Sequence, residues 1–201
     1  MSTFRYILRL LLTGVVILGA IFAVQYWQKQ QAAPAPLKAG TAVSQQPLAP
    51  FTLVTAQGAP FTQANLQGHW SIFFFGYVGC PQLCPRMLQV MRTVQDQLPS
   101  GAVNFYFVTA DPVRDTPEKI AAHLVHFSPT FVGLTGEVAQ VQKVAQALGV
   151  YIAEDPKLGT GHWVHSGSLL LINPQGAMTA VFSSQSQSED IVHDLGVFLK
   201  S

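Results

Sequence analysis

Charged side chains are scarce in this chain. Of its 201 residues, 11 are lysine or arginine and 10 are aspartate or glutamate, so the formal net charge is +1. The sequence also lacks internal repeats and long runs of like charge. A nucleic-acid-binding protein carries a basic patch or stripe, and this sequence offers none. The composition therefore excludes nucleic acid as the partner.

Cysteine is scarcer still, because Cys80 and Cys84 are the only two. Residues four apart on a helix share one face, so both sulfurs would point the same way. Two adjacent thiols can close a disulfide or bind a soft metal ion. A disulfide across so short a loop constrains the unfolded chain little, which disfavours a purely structural role.

One long uncharged run lies near the N-terminus. Residues 10–24 carry no charge, Arg5 and Arg9 precede them, and Tyr26 and Trp27 follow. About 20 apolar residues span a bilayer. Arginines favour the cytoplasmic side, and aromatic residues favour the headgroup layer. The run therefore indicates a membrane-spanning helix.

The sequence thus predicts a cytoplasmic N-terminus over residues 1–9 and a single-pass anchor in the cytoplasmic (inner) membrane over residues 10–27. A cleaved signal peptide is the alternative, but its nearest small-x-small site, residues 33–35, is followed by Pro36, which is a poor cleavage context. Both interpretations place the rest of the chain on the periplasmic or exoplasmic side.

Two further segments follow the predicted anchor. Residues 28–47 are rich in Gln, Ala and Pro, a composition typical of an extended linker. Residues 48–201 have the length of one domain with a single core. The chemistry that the cysteines perform therefore belongs to this domain.

Within the domain, hydrophobic periodicity predicts alternating strands and helices. Capping signals place helix starts at Thr116, Thr135 and Ser186. The predicted strands cover residues 70–75, 103–108, 131–134, 168–172 and 177–182, and helices follow the first three and the last. This order predicts an α/β domain of the thioredoxin-like fold, with a central mixed sheet flanked by helices.

The cysteines lie where the first strand gives way to the first helix. Extending the apolar stripe of that helix backwards by one turn reaches Cys84 and then Cys80, so both thiols should face the sheet. Unpaired amides and the helix dipole at this end favour thiolate over thiol. Pro85 fits the early helical turn.

Four motifs carry a family resemblance. Residues 74–85 read FFGYVGCPQLCP, residues 111–117 read DPVRDTP, residues 131–136 read FVGLTG, and residues 165–176 include HS and LLLINPQG. In this order they resemble the signatures of the Sco/SenC family. The resemblance implies a membrane-tethered copper protein that helps to assemble the dinuclear copper centre of cytochrome c oxidase. Its partners would be the copper-accepting subunit of the oxidase and other periplasmic copper carriers.

Carried over to this sequence, the resemblance implies one copper ion bound by Cys80, Cys84 and His165. Thiolates suit Cu(I), and an added imidazole lets the site hold Cu(II). Zinc is the alternative metal, with His162 as a fourth ligand, but the ligand spacing matches no compact zinc module. Gln82 stands where many members have an acidic residue, and Val164 where an aspartate is usual, which puts the strength of copper binding in question.

Other candidate ligands have simpler explanations. Met87 and Met91 lie on the core stripe of a helix and are expected to pack there. His123 and His126 are expected on a solvated helical face, and Asp111 is expected to cap the loop after the second strand near the site. The alternatives are a metal-binding role for the methionines or the two histidines, and a general-acid or docking role for Asp111.

Arg114 and Asp115 are expected to pair with each other, and Tyr77 and Trp163 are expected to flank the site. A copper metallochaperone, which is not an enzyme, is the first functional hypothesis. The second is a thiol–disulfide oxidoreductase that uses Cys80 and Cys84 to reduce the acceptor subunit, with a peroxidase as a variant. The third is a tethered structural or sensing domain.

Overall fold

A computed structural model describes residues 14–15, 17–22, 24, 36–43, 47–154 and 163–200, and for Val164 and His165 it describes the backbone alone. The chain divides into two compact units, Met1–Pro36 and Leu37–Ser201. In the first unit the described residues 14–15, 17–22 and 24 are helical. Among all described residues, no helix has both the length and the apolar character needed to cross a membrane. Much of the predicted anchor, residues 10–27, lies outside the described residues.

The second unit is built on a mixed eight-stranded sheet with the strand order β1-β10-β9-β4-β5-β6-β2-β3. Strands β4, β5 and β6 are parallel, and β9 joins β4 antiparallel. A separate hairpin pairs β7 with β8. The strands are β1 Gly40–Ala42, β2 Thr52–Thr55, β3 Pro60–Thr62, β4 Trp70–Gly76, β5 Val103–Thr109, β6 Val132–Thr135, β7 Ile152–Glu154, β8 Trp163–His165, β9 Leu169–Ile172 and β10 Met178–Phe182.

Helices cover both faces of the sheet. They are α1 Leu83–Gln97, α2 Pro117–Leu124, α3 Val138–Ala147 and α4 Ser188–Phe198, with a short 3-10 helix at Gln63–Leu66. Successive side chains of a strand point to opposite faces. In β4, Ile72 and Phe74 accordingly join a core with α1, α2 and α4, whereas Phe73 and Phe75 join a core with α3. The predicted α/β architecture with a buried central strand is confirmed.

Two of the three predicted helix starts are wrong. Thr116 caps α2 as expected, because its side chain accepts a hydrogen bond from the Lys119 amide. Thr135 instead belongs to β6, where it pairs with Val54, and α3 begins after Glu137. Ser186 lies in a turn against Ser183, and the N-cap of α4 is Gln187.

The folded unit begins within the span predicted as a linker, residues 28–47. Strand β1 pairs with β10 and forms one edge of the sheet, and β3 forms the other edge. Asp194 of α4, which is fully buried, accepts hydrogen bonds of 2.8 Å from the amides of Lys38, Ala39 and Gly40. These bonds fix the chain where it enters the sheet.

Candidate metal centre

The two cysteines follow the carboxyl end of β4, with Cys80 in the loop that leads into α1 and Cys84 in the helix itself. The Cys80 amide donates to the Tyr77 carbonyl oxygen (3.1 Å), which closes a turn, and Cys84 lies in the first turn of α1. The Cys84 amide donates to Cys80 Sγ at 3.3 Å. The two thiols are not joined in a disulfide and are buried in the core beneath α1, so they do face the sheet.

The end of β4 leaves space for the second sulfur. A Cβ on Gly76 would lie 2.8 Å from Cys84 Sγ and 2.9 Å from the ring of Phe107. Real Cβ atoms do not approach other atoms so closely, and glycine is the residue that allows a neighbour to come this near. Gly76 therefore forms one wall of the pocket that holds Cys84.

The expectation that the helix start favours thiolate is wrong for Cys84. Burial raises the pKa of the Cys84 thiol far above its usual range, and the hydrogen bond with Cys80 raises that pKa further. Desolvation disfavours the charged form, and at 0% exposure it outweighs the effect of the helix start. Cys84 is therefore a protonated thiol in the absence of a metal ion, and metal binding must displace its proton.

Tyr77 connects the cysteine loop to the strand that carries the expected third ligand. Its hydroxyl is hydrogen-bonded to the backbone of Trp163, which is the first residue of β8. Its side chain also hydrogen-bonds Cys80, and burial is the main cause of its raised pKa. The side chain of Trp163 packs against the same core as the cysteines. Tyr77 and Trp163 therefore flank the dithiol, as expected.

The backbone after β8 also lies against the start of α1. Strand β8 ends at His165, which pairs with Ile152 of β7. Two residues later, Gly167 adopts a φ of +63°, and a Cβ on it would lie 2.8 Å from Leu83 Cδ2. Leu83 is the neighbour of Cys84 and opens α1. The backbone at Trp163 and Gly167 thus contacts the cysteine region on both sides of His165.

The loop between β5 and α2 supports the cysteine loop from the other side. Asp115 is buried and accepts hydrogen bonds from Thr109 Oγ1 (2.6 Å) and from the Val78 amide (3.0 Å). Asp111 accepts a hydrogen bond from the Arg114 amide and so caps this loop, as expected. The expected ion pair between Arg114 and Asp115 is not formed, because Asp115 turns inward and Arg114 bonds Asp111 instead.

Several other candidate ligands have structural roles or lie outside the described residues. Met87 and Met91 are fully buried packing residues of α1. The ring of His123 packs against Phe107 and Phe127 and is half-buried, so the solvated position expected for it is wrong. His162 lies outside the described residues. Among the side chains that the structure describes, no group of three His, Cys, Asp or Glu forms a metal-binding cluster.

Sequence reasoning missed three contributors to the site. Gly76, Gly167 and Glu154 were not singled out, although Gly76 and Gly167 shape the surroundings of the cysteine loop. Glu154 lies on β7 and pairs with Arg114, 40 residues earlier in the chain. A glycine at the end of a buried strand is a usable signal of close approach. No local pattern indicates the ion pair.

The fold and the site together define an α/β domain with a buried dithiol at the carboxyl end of its central strand. The SCO1/SenC family model matches residues 40–200. The chain belongs to the SCO1/SenC family.

Individual relatives agree with this assignment. The mitochondrial SCO1 homologue of Mus musculus is 32% identical over 158 residues, which cover 76% of this chain. The chain spans 56% of the length of that curated relative. Copper-bound yeast Sco1 superposes with a TM-score of 0.71 at 29% identity, over 78% of this chain and 90% of the yeast chain. Copper-bound ScoI of Bradyrhizobium japonicum superposes with a TM-score of 0.64 at 29% identity, over 75% of this chain and 98% of the ScoI chain. These similarities support the thioredoxin-like architecture of the Sco structures for this domain.

Proposed function

We propose that this protein is a copper metallochaperone that helps to assemble the dinuclear copper centre of cytochrome c oxidase. It binds one copper ion through Cys80, Cys84 and His165 and passes that ion to the copper-accepting subunit. The observation that carries this proposal is the pair of adjacent, buried thiols in reduced form, together with the hydrogen bond from Tyr77 that connects their loop to the strand ending at His165.

The donor set suits copper as a cargo. Two thiolates are soft ligands that favour Cu(I), and the imidazole of His165 would accommodate Cu(II). Three protein ligands leave a coordination position through which an acceptor can enter. The apolar surroundings of Cys80 and Cys84 limit access of water to the ion. Relatives support the choice of metal, because the matched structures of yeast Sco1 and Bradyrhizobium japonicum ScoI hold copper.

The N-terminal sequence supports tethering to a membrane. We place the anchor at residues 10–27 and the copper-binding domain on the periplasmic side of the cytoplasmic membrane, on the basis of the charge-free run and its flanking residues. A tethered carrier would remain close to a membrane-bound acceptor, which raises the effective concentration of one partner near the other.

A thiol–disulfide oxidoreductase is the second candidate function. It is favoured by one observation, the hydrogen bond of 3.3 Å that brings the Cys84 amide to Cys80 Sγ and so holds the two cysteines side by side. In this reaction the two thiols become a disulfide while one disulfide of the acceptor becomes two thiols. Cys80 is the more exposed residue, at 7% against 0% for Cys84, and its thiol would attack first.

Copper titration of the reduced full-length chain in detergent tests the proposal. We expect one copper ion per chain and a thiolate-to-Cu(II) absorption band. The variants Cys80→Ser, Cys84→Ser and His165→Ala should each lose the band, whereas His162→Ala, the matched histidine control, should keep it. If His165→Ala binds copper like the parent while thiol exchange persists, the oxidoreductase replaces the chaperone.

A further inference from the structure

The hairpin that carries His165 is a small element outside the main sheet. It has only three residue pairs, which are Ile152 with His165, Ala153 with Val164, and Glu154 with Trp163. A two-stranded hairpin is marginally stable in water by itself. Its position therefore depends on contacts with the rest of the domain. Ile152 and Trp163 supply apolar contacts, one to each core.

Arg114 supplies a polar contact to this hairpin. Its Nη2 lies 3.2 Å from Glu154 Oε1, and its Nε lies 2.5 Å from Asp111 Oδ2. Asp111 is buried and also accepts a hydrogen bond from the Arg114 amide. The guanidinium is thus held from within the β5–α2 loop and reaches outward to β7. We name the three side chains Asp111, Arg114 and Glu154 the Arg114 bridge.

The same loop holds the cysteine loop. Asp115, the residue after Arg114, accepts a hydrogen bond from the Val78 amide, two residues before Cys80. One short stretch of chain therefore contacts both the loop that carries Cys80 and the hairpin that carries His165.

We propose that Arg114 and Glu154 are positioning residues for the metal centre. The Arg114 bridge sets the placement of β8, and hence of His165, relative to Cys80 and Cys84. This inference rests on the proposed function, because it assigns a role in binding the same copper ion. Neither side chain is a metal ligand in this proposal.

The strength of the bridge indicates how it acts. The Arg114 and Glu154 side chains are each 43% exposed. An exposed ion pair contributes little, and salt screens it. The bridge therefore favours the position of the hairpin next to the cysteines only weakly and does not fix the hairpin in that position. Such a contact suits a site that must bind an ion and also release it, and it makes copper affinity sensitive to ionic strength.

Copper affinity is the first readout. In the full-length chain, Arg114→Gln and Glu154→Gln should each weaken copper binding about two- to fivefold at low salt, as measured by competition with a chelator. The matched control is Arg92→Gln, which removes another exposed Arg–Asp pair, the 2.8 Å contact with Asp96 on α1. Arg92→Gln should leave the affinity unchanged. At about 1 M salt Glu154→Gln and Arg92→Gln should match the parent, whereas Arg114→Gln also loses its contact with the buried Asp111, which salt screens less.

A double-mutant cycle tests whether the effect passes through the histidine. In the His165→Ala background, Glu154→Gln should cause no further loss of copper affinity, because the ligand that the bridge positions is absent. An undiminished second loss would overturn the positioning role and leave only a general electrostatic effect.

Amide hydrogen exchange of the metal-free protein gives a readout that does not depend on copper. In Glu154→Gln, exchange should quicken at residues 152–154 and 163–165 and stay unchanged in β4 and β5. Unchanged exchange in the hairpin, or quicker exchange with unchanged copper affinity, would overturn the inference. If the parent protein binds no copper, the proposed function is wrong. Amide exchange still shows, independently of copper, whether the Arg114 bridge stabilises the hairpin.

Discussion

The sulfur of Cys84 occupies the space in which a side chain on Gly76 would lie. A Cβ built on Gly76 would be 2.8 Å from that sulfur and 3.1 Å from the ring of Phe74. Both neighbours are fully buried, and close-packed interiors yield little to added atoms. The glycine at the end of β4 is thus part of the architecture of the dithiol.

Replacing Gly76 by alanine should therefore damage stability and metal binding together. We expect a loss of about 1–3 kcal/mol in the free energy of unfolding, because the added methyl group overpacks the core. Chemical denaturation measures this loss, and chelator competition should show weaker copper binding. Gly79→Ala is the control, since its Cβ would lie 3.7 Å from the nearest Tyr77 ring atom. Equal losses in the two variants would contradict the steric explanation.

A second glycine comparison isolates the contact between the β8–β9 connection and α1. Gly167 and Gly101 both have positive φ, at +63° and +76°, but a Cβ at 101 would meet nothing, whereas a Cβ at 167 would meet Leu83. Gly101→Ala should cost only the backbone strain, about 1 kcal/mol. Gly167→Ala should cost more and should also weaken copper binding. Thermal unfolding with copper titration checks both, and equal effects would refute the contact.

Asp115 should tolerate loss of its charge better than loss of its oxygen atoms. Asp115→Asn keeps an acceptor for the Val78 amide and Thr109 Oγ1, whereas Asp115→Ala leaves buried donors unpaired. We expect the alanine variant to be less stable than the asparagine variant by about 1–3 kcal/mol. Denaturation at pH 7 measures the difference, and indistinguishable variants would contradict this role.

The contribution of Asp115 to stability should fall as the pH rises. Burial raises the pKa of Asp115. A raised pKa means that the folded state favours the protonated carboxylic acid. The contribution of Asp115 to stability is therefore fully present below its pKa in the unfolded chain, about 3.9, and is lost as the pH rises through its pKa in the folded protein. The stability of the parent relative to Asp115→Asn should therefore fall as the pH rises from about 4.

Asp194 should show the opposite slope. Burial alone would raise its pKa, but hydrogen bonds from His193 and from the amides of Lys38, Gly40 and Ala39 outweigh burial and lower the pKa. Its contribution is present above the unfolded value and is lost as the pH falls through the folded pKa. Asp194→Asn should cost about 1.5–3 kcal/mol at pH 7. That cost should shrink in acid below about pH 3.9, as denaturation at several pH values can measure.

Longer elements were predictable because their patterns are local. The apolar run of β4, the helical stripe of α1 and the turn before β10 each determine an element from adjacent residues. Strands β1, β3, β7 and β8 have three residues each, too few for periodicity to register. They form because partners elsewhere in the chain bind them, as β10 binds β1.

In the site, too, only the features that depend on residues close in sequence were predictable. The spacing of Cys80 and Cys84 was enough to predict a shared buried face. The protonation preference of Cys84 was not predictable, because it depends on how completely Gly76, Phe107 and other distant residues enclose the sulfur. The Arg114 bridge likewise joins residues 40 positions apart, so only the folded chain reveals it.

Both edges of the main sheet end in strands of three residues, and one of them, β3, includes Pro60. Long open edges are templates for intermolecular strand pairing, whereas short edges and proline discourage it. This sheet therefore presents little unpaired backbone to a second molecule. We therefore expect the domain to resist edge-to-edge aggregation even at the high local protein concentrations of a crowded surface.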